Sequence, residues 1–194
     1  MKIVRAVYEI LNNKISSLIV RTFHKVNCQN GVIFKKVPHI NVHASAKVKI
    51  GKNTTINSSN YGYHINMFSK CKLYADRENA MIEIGSNCRI HGTCIHAFKR
   101  IKIGDNCLIA ANTQIIDGNG HQLCMDNPQD RLILSDEGRD IIIEDNVWIA
   151  SNCTILGGTI IGEGSIITAG SVVKGTIPAK SIYGGNPAKL IKQY

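Results

Sequence analysis

The sequence predicts an all-β protein whose backbone winds into a parallel β-helix, a solenoid of short strands preceded by one amphipathic helix. Three observations lead to this fold class: the ratio of isoleucine to leucine, a repeat of six residues, and a helical spacing near the N-terminus. The chain has 194 residues, of which 31 are Ile and 9 are Leu. Because β-branched isoleucine suits a pleated strand better than a helix, this composition argues against a helical bundle.

The first element is an amphipathic helix, which we place at residues 1–27. Apolar side chains recur there at intervals of three and four residues, the period of one helical face. Its charged residues are five Lys or Arg against Glu9 alone. Two interpretations remain open. The helix covers the end of the solenoid or packs against a subunit, since a solenoid needs a cap; or residues 1–26 contact an anionic membrane surface.

The solenoid itself, residues 28–178, is predicted from a period of six. Isoleucine stands at the first position of ten hexads: Ile84, Ile90, Ile103, Ile109, Ile115, Ile143, Ile149, Ile155, Ile161 and Ile167. A period of six cannot line one face of a helix with 3.6 residues per turn, but it fits the two-residue period of a strand. Because no hexad can bury its apolar side chain alone, we expect stacked coils of parallel strands.

A second fixed place, four residues into each hexad, holds small side chains. We place four of the seven cysteines there, where a free thiol acts as a small hydrophobe: Cys88, Cys94, Cys107 and Cys153. The roles of Cys28, Cys71 and Cys124 stay open. The odd count leaves at least one thiol unpaired or paired between chains, and the absence of a CxxC pair argues against a zinc ribbon. Because no secretory signal is convincing, a reducing cytoplasm is expected.

The repeat is interrupted in three places. Residues 117–140 are rich in Gly, Asn and charge, which predicts a protruding loop. Residues 57–81 fit the hexad poorly and carry several aromatic side chains, which either line a binding pocket or pack within an irregular coil. One extra residue near Lys99 and Arg100 must bulge at a corner, and residues 179–194 form a C-terminal tail.

Four motifs occupy the C-terminal half of the chain. They are Ile103-Gly104-Asp105-Asn106, the loop pair Gly120-His121, Asn146-Val147-Trp148-Ile149, and the closing Gly184-Gly185-Asn186-Pro187-Ala188-Lys189. Together they resemble the hexapeptide-repeat acyltransferases, in particular the maltose and galactoside O-acetyltransferases and those of capsular and lipopolysaccharide sugars. The resemblance implies a left-handed β-helix with three hexads per coil, acetyl-CoA as co-substrate, and a homotrimer with active sites between subunits.

The resemblance also implies roles for matching residues. His121 would be the general base that takes the proton of the acceptor hydroxyl, a task that suits an imidazole at neutral pH. Asp117 would orient its ring, and Ser151 would stabilise the oxyanion of the attacked thioester. The residues that would contact the cofactor are Trp148, Ala150, Thr168, Ala169, Lys174 and Lys189. No metal is expected to be required.

The predicted function is therefore direct transfer of an acetyl group from acetyl-CoA to a sugar hydroxyl in a ternary complex. His91-Gly92-Thr93 stands where the galactoside and maltose enzymes carry an acceptor-binding Asn-x-Asn stretch. For that reason we expect a bacterial surface polysaccharide or its precursor as the acceptor. The alternative is N-acetylation of an amino sugar or its nucleotide derivative.

Other classes fit the sequence less well. His91 and His96 are spaced like a ligand pair of γ-class carbonic anhydrases, but His96 falls on the inward phase of the repeat, and no third histidine stands at a suitable earlier position. A non-catalytic scaffold would not require His121. The net charge of +9 would suit a nucleic acid, but no basic cluster in the sequence has the interleaved aromatic residues of a nucleic-acid-binding surface. With no long apolar run and no secretory signal, we expect a cytoplasmic protein, the membrane interpretation placing it at the inner face.

Overall fold

The computed structural model describes residues 2–194 and begins with a single long helix, α1, Lys2–Phe23. Met1, the first residue of the predicted helical segment, lies outside the described residues. Ser17 lies on the side of α1 that faces the solenoid, and its Oγ accepts the backbone N–H of Phe34 at 3.0 Å. The Arg21 guanidinium donates to three carbonyls of the first coil, among them that of Cys28 at 3.2 Å. The helix therefore covers the first coil.

Twenty of the strands in residues 2–194 rotate in order through three parallel sheets. Sheet A contains β1 Val26–Cys28, β4 Lys47–Ile50, β7 Met81–Ile84, β10 Arg100–Ile103, β13 Ile141–Ile143, β16 Ile160–Ile161 and β19 Thr176–Ile177. Sheet B contains β2 Ile33–Lys35, β5 Thr55–Asn57, β8 Arg89–His91, β11 Leu108–Ile109, β14 Trp148–Ile149, β17 Ile166–Ile167 and β20 Ser181–Gly185. Sheet C contains β3 His39–Val42, β6 Lys72–Ala75, β9 Cys94–His96, β12 Gln114–Ile116, β15 Thr154–Leu156 and β18 Val172–Val173. The last strand, β21 Ala188–Gln193, turns back antiparallel on β20. The predicted parallel β-helix is confirmed.

The core is the column of isoleucines predicted from the repeat. Ile84 pairs with Ile103, Ile103 with Ile143 and Ile143 with Ile161 on successive coils of sheet A. All ten isoleucines of the hexads are at most 3% exposed. Each buried side chain of this size contributes about 1.5–3 kcal/mol relative to an exposed one, so the repeat is the main source of stability.

The inward and outward positions differ from the prediction in one strand, β9. Cys88, Cys107 and Cys153 are buried in the interior, but Cys94 is only half-buried, and the prediction for it is wrong. The corner after β8 is one residue short, so Ile95 points inward and Thr93 takes the interior position. Cys94 and His96 consequently face outward, so the prediction that His96 occupies an inward position is also wrong.

Several corners between sheets A and B share one structural feature, an asparagine with a left-handed backbone conformation. Asn87, Asn106 and Asn146 adopt left-handed backbone angles, with φ between 57° and 62°, a conformation that asparagine tolerates better than most residues. Their side chains form a ladder, because Asn87 donates to Asn106 and Asn106 to Asn146, each at 3.2 Å. Beside this ladder, a Cβ on Gly104 would lie 2.7 Å from the backbone N of Asp145. The Ile-Gly pairs thus mark close contacts between coils.

The outer face of α1 has no partner among residues 4–194 and exposes a row of apolar side chains, including Leu11 and Leu18. Contact of this face with a membrane stays a prediction. Among the described residues, no helix has both the length and the apolar character that crossing a bilayer demands.

Candidate active site

The loop that carries His121 leaves the solenoid at the corner between sheets C and A, here named the CA corner. Asp117 stands at its start, 1% exposed. Its Oδ1 accepts the backbone N–H of Phe98 at 2.6 Å, and its Oδ2 accepts those of Lys99 and Arg100 at 2.9 and 2.8 Å. These three residues are the bulge that the extra residue predicted. Burial raises the pKa of Asp117, and the three N–H donors oppose that shift.

A second carboxylate fastens the neck of the same loop. Asp136 accepts the backbone N–H of Asn119 at 2.7 Å, and this bond is the main reason why the pKa of Asp136 is lowered. No hydrogen bond joins Asp117 to His121 within residues 2–194. Asp117 ties the loop to the preceding coil, and its role in orienting the imidazole stays a prediction.

The part of the loop beyond the neck projects into solvent. His121 is exposed and follows Gly120, whose φ of +85° allows a sharp turn without steric cost. Several aliphatic side chains of the loop are 65–85% exposed: Leu123, Met125, Leu132 and Ile133. The part of the loop that carries His121 therefore presents both an exposed imidazole and exposed apolar side chains to its surroundings.

Ala150 and Ser151 stand at the corner between sheets B and C, here named the BC corner, directly after Trp148 and Ile149 of β14. Trp148, Ala150 and Ser151 line one end of a cavity of about 520 Å³ over sheet B. The Ser151 hydroxyl accepts only a long bond of 3.5 Å from the Asn152 side chain. Among the described residues its backbone N–H has no acceptor. Two donors at this position are therefore available to a ligand.

The predicted site residues fall into two separate groups. Trp148, Ala150, Ser151, Thr168 and Ala169 follow sheet B and the BC corner on two adjacent coils, where Gly170 donates to the Ser151 carbonyl at 2.9 Å. Lys189 extends this side on β21. Asp117, His121 and Lys174 lie instead at the CA corner. No residue of the 117–140 loop lines the cavity beside Ser151, so one chain does not bring the two groups together.

The opposite wall of the cavity contains a histidine that the sequence had not placed in the site. His91 lies parallel to the Tyr63 ring, with 4.2 Å between the ring centroids. Its Nδ1 is 3.0 Å from Asn57 Nδ2, while Asn57 Oδ1 accepts the backbone N–H of Ser59. Because the amide nitrogen faces the ring, Nδ1 must be the acceptor. The neutral ring therefore carries its proton on Nε2.

The environment keeps that ring neutral. Burial, together with the positive charges of Lys35, Arg89 and His64, lowers the pKa of His91 to about 4. Asn57 and His91 are 34 residues apart and meet only because β5 pairs with β8. Sequence spacing carried no signal for this contact.

The loop of residues 58–71 covers the cavity and is fastened to the next coils. Asn112 accepts the backbone N–H of Phe68 at 2.9 Å and donates to the Asn66 carbonyl at 3.0 Å. Tyr61 and Tyr63 line the cavity. Of the two interpretations of this aromatic stretch, pocket lining therefore describes this loop, whereas Tyr74 packs against His96 on sheet C.

His91 and His96 point away from different sheets. His96 Nε2 lies 3.0 Å from the Asp76 carboxylate on sheet C, while His91 bonds to Asn57 on sheet B. Within the described part of the chain, no group of three or more His, Cys, Asp or Glu side chains is placed to hold a metal ion.

Comparison with known proteins places these features in context. Family models match residues 140–175 as "Bacterial transferase hexapeptide (six repeats)" and residues 81–117 as "Hexapeptide repeat of succinyl-transferase". A putative lipopolysaccharide biosynthesis O-acetyl transferase, WbbJ of Escherichia coli K12, is 30% identical over 158 residues, which are 79% of this chain and 75% of the relative.

Solved structures share the fold. A mutant of AntD, an N-acyltransferase from Bacillus cereus in complex with dTDP-4-amino-4,6-dideoxyglucose and coenzyme A, has a TM-score of 0.67 at 20% identity, covering 91% of this chain and 88% of its own. A galactoside acetyltransferase in complex with coenzyme A has a TM-score of 0.54 at 23% identity, covering 91% and 68%. The solenoid is thus a left-handed parallel β-helix.

Proposed function

Because this chain belongs to the hexapeptide-repeat transferases and is an acyltransferase, we propose that it transfers an acetyl group from acetyl-CoA to a sugar hydroxyl. The acceptor is a bacterial surface polysaccharide or its precursor. The observation that carries this proposal is the 30% identity, over 79% of the chain, to a putative lipopolysaccharide biosynthesis O-acetyl transferase. The second candidate, N-acetylation of an amino sugar, uses the same residues with an amine in place of the hydroxyl.

The chemistry needs a base, a nucleophile and an oxyanion donor. His121 takes the proton of the acceptor hydroxyl as the oxygen attacks the thioester carbonyl of acetyl-CoA. The tetrahedral oxyanion accepts hydrogen bonds from the free donors of Ser151. When the C–S bond breaks, the acetyl ester forms, and the leaving thiolate takes the proton from the imidazolium.

His121 and Ser151 meet between copies of the chain. They belong to different corners of the same solenoid, and the exposed aliphatic side chains of the 117–140 loop need a surface to cover them. A homotrimer that places the CA corner of one copy against sheet B of the next would bring His121 to Ser151 and would also cover the exposed aliphatic side chains. Such a head-to-tail interface closes into a ring with three equivalent sites.

The same arrangement gives acetyl-CoA a groove along the C-terminal coils. Thr168 and Ala169 border it with small side chains that let the pantetheine arm approach. Lys189 of the same copy and Lys174 of the adjacent one supply positive charge for the phosphates. The proposed reaction uses no metal ion.

The base is tested by His121→Ala. We expect kcat for acetyl transfer to fall by about 10²- to 10⁴-fold, with an unchanged circular dichroism spectrum and an unchanged KM for acetyl-CoA. His39→Ala is the matched control, because His39 is an exposed histidine on sheet C. Full activity of His121→Ala would remove the base from the mechanism.

The composite site is tested by mixing two inactive variants, His121→Ala and one that fills the other half-site, Ala150→Trp. Random trimers of the two would restore about one quarter of the sites, because a site needs an intact His121 from one copy and an intact Ala150 from the next. No recovery of activity would place both halves in one chain. Light scattering should give about 64 kDa, three times 21.3 kDa.

The two candidate acceptors, a hydroxyl and an amine, are distinguished by whether the product resists alkaline hydroxylamine. With paired hexose and amino-hexose acceptors, an acetyl ester is released by alkaline hydroxylamine, whereas an acetamide is not. A product resistant to hydroxylamine would favour the amino-sugar alternative.

A further inference from the structure

The cavity over sheet B extends from Trp148 towards the N-terminal coils, and strand register sets its dimensions. Arg89 pairs with Leu108, and Leu108 pairs with Trp148. Because these three residues occupy outward positions on consecutive strands, Arg89 lies two strands from Trp148, about 10 Å away at the usual strand spacing. One hexose ring carrying a substituent can bridge that distance.

A second column runs beside the first, nearer the BC corner. Lys35 pairs with Asn57, and Asn57 pairs with His91. Lys35 is therefore two strands beyond His91, at the end of the cavity farthest from Ser151. The Nε2–H of His91 is a fixed donor on the same strand as Arg89, two residues further along β8.

The cavity is positively charged and uncompensated. Lys35 and Arg89 line it, and no Asp or Glu does so among the described residues. Within residues 2–194 neither forms a salt bridge, whereas Arg100 on the adjacent sheet pairs with Glu83 at 2.8 Å. The guanidinium of Arg5 lies 4.4 Å from the ring of Tyr61, another residue of the cavity wall. Unpaired cations in a concave site attract anions.

We propose that this cavity binds the sugar acceptor and selects one that carries an oxyanion group, a phosphate or a carboxylate, which Arg89 and Lys35 hold. His91 donates a hydrogen bond from Nε2 to an oxygen of the sugar. The assignment rests on the proposed function, because it places the acceptor hydroxyl at the Ser151 end. The phosphates of coenzyme A are the competing occupant, but Thr168, Ala169 and Lys189 lie on the opposite side of Ser151.

The experiment compares three probes of similar size, which are glucose 1-phosphate, glucuronic acid and uncharged glucose. Calorimetry with the full-length protein and coenzyme A present should show at least one anionic probe binding about tenfold or more tightly than glucose. The stronger of the two identifies phosphate or carboxylate as the selected group. The preference should shrink as salt is raised, because exposed charges are screened.

Two substitutions test which side chains bind the anionic group of the probe. Arg89→Gln and Lys35→Gln should each weaken binding of the preferred anionic probe by about tenfold, the usual scale for losing one charged hydrogen bond. Binding of glucose and the KM for acetyl-CoA should not change. Lys49→Gln is the matched control, since it removes the same charge from an exposed position on sheet A.

Two results would overturn the proposal. One is equal binding of glucose and both anionic probes. The other is a raised KM for acetyl-CoA in Arg89→Gln or Lys35→Gln, which would make the cavity a cofactor site. Failure of the proposed function would look different: no acetyl transfer to any sugar, while the anionic probe still binds in an Arg89-dependent way.

Discussion

Replacement of Asp117 separates two roles for this carboxylate, anchoring the loop and orienting His121. Asp117→Asn keeps the size of the side chain but exchanges one acceptor oxygen for a donor. The remaining oxygen can still accept the N–H groups of Lys99 and Arg100, whereas the N–H of Phe98 faces the new NH₂ group. The change therefore leaves one buried backbone donor without an acceptor.

The magnitude follows from the three bonds. A buried donor without an acceptor costs about 1–3 kcal/mol, and the two remaining bonds lose their charge assistance. Relief of the desolvation that raises the pKa of Asp117 offsets part of this loss. We expect a decrease of about 2 kcal/mol in the free energy of unfolding for Asp117→Asn, and of about 4 kcal/mol for Asp117→Ala.

Denaturant unfolding at one protein concentration measures the stability of both variants, and amide hydrogen exchange at residues 98–100 reports the corner directly. Asp126→Asn is the control, an exposed carboxylate on the same loop. If Asp117 anchors the loop, kcat at a temperature where the variant is folded should fall by less than about tenfold. An orienting carboxylate is worth up to about 10⁴-fold in kcat. A variant of normal stability with a loss of that size would refute the anchoring role.

Three further predictions concern the solenoid and its cavity. Asn106→Ala should lower stability by about 1 kcal/mol more than Asn106→Gly, because only glycine adopts φ near +57° without steric cost; equal losses in denaturant unfolding would contradict this. Ile149→Ala should cost about 2–5 kcal/mol, since the side chain is fully buried, whereas Ile160→Ala, on an outward position, should cost far less in the same assay. His91 should titrate near pH 4 in NMR as the Nε2–H tautomer. Since the unfolded chain binds this proton near pH 6.5, stability should fall as the pH drops from about 6.5 to 4, a slope absent from His91→Gln; a pKa near 6.5 in the folded protein would refute it.

Much of the fold could be predicted from the sequence because a solenoid is made by local rules. Every coil repeats the same alternation of buried and exposed positions, so Ile143 and Ile161 take equivalent places without knowledge of any distant contact. The prediction was wrong at Cys94, where one corner is a residue shorter than the repeat and reverses the side chains that follow it.

The candidate site was predictable in its parts and not in its arrangement. His121, Trp148 and Ser151 were identified from motifs, and the resemblance also implied that active sites lie between subunits. Their separation follows from the fold, in which His121 lies at the CA corner and Ser151 at the BC corner. The fold also gives Asp117 its hydrogen bonds to the preceding coil. The spacing of four residues between Asp117 and His121 did not indicate that contact.

The period of six, the inward isoleucines, the amphipathic helix and the position of the protruding loop can all be inferred from the sequence, because each depends on residues that are near one another along the chain. The stacking of the coils, in contrast, sets which outward side chains share a surface. Lys35, Asn57 and His91 come from three different coils, and they form one wall of the cavity because stacked strands place distant residues about 4.8 Å apart. Outward positions carry no hydrophobic signal in the repeat, so the chemistry of the cavity became visible only when the coils were stacked.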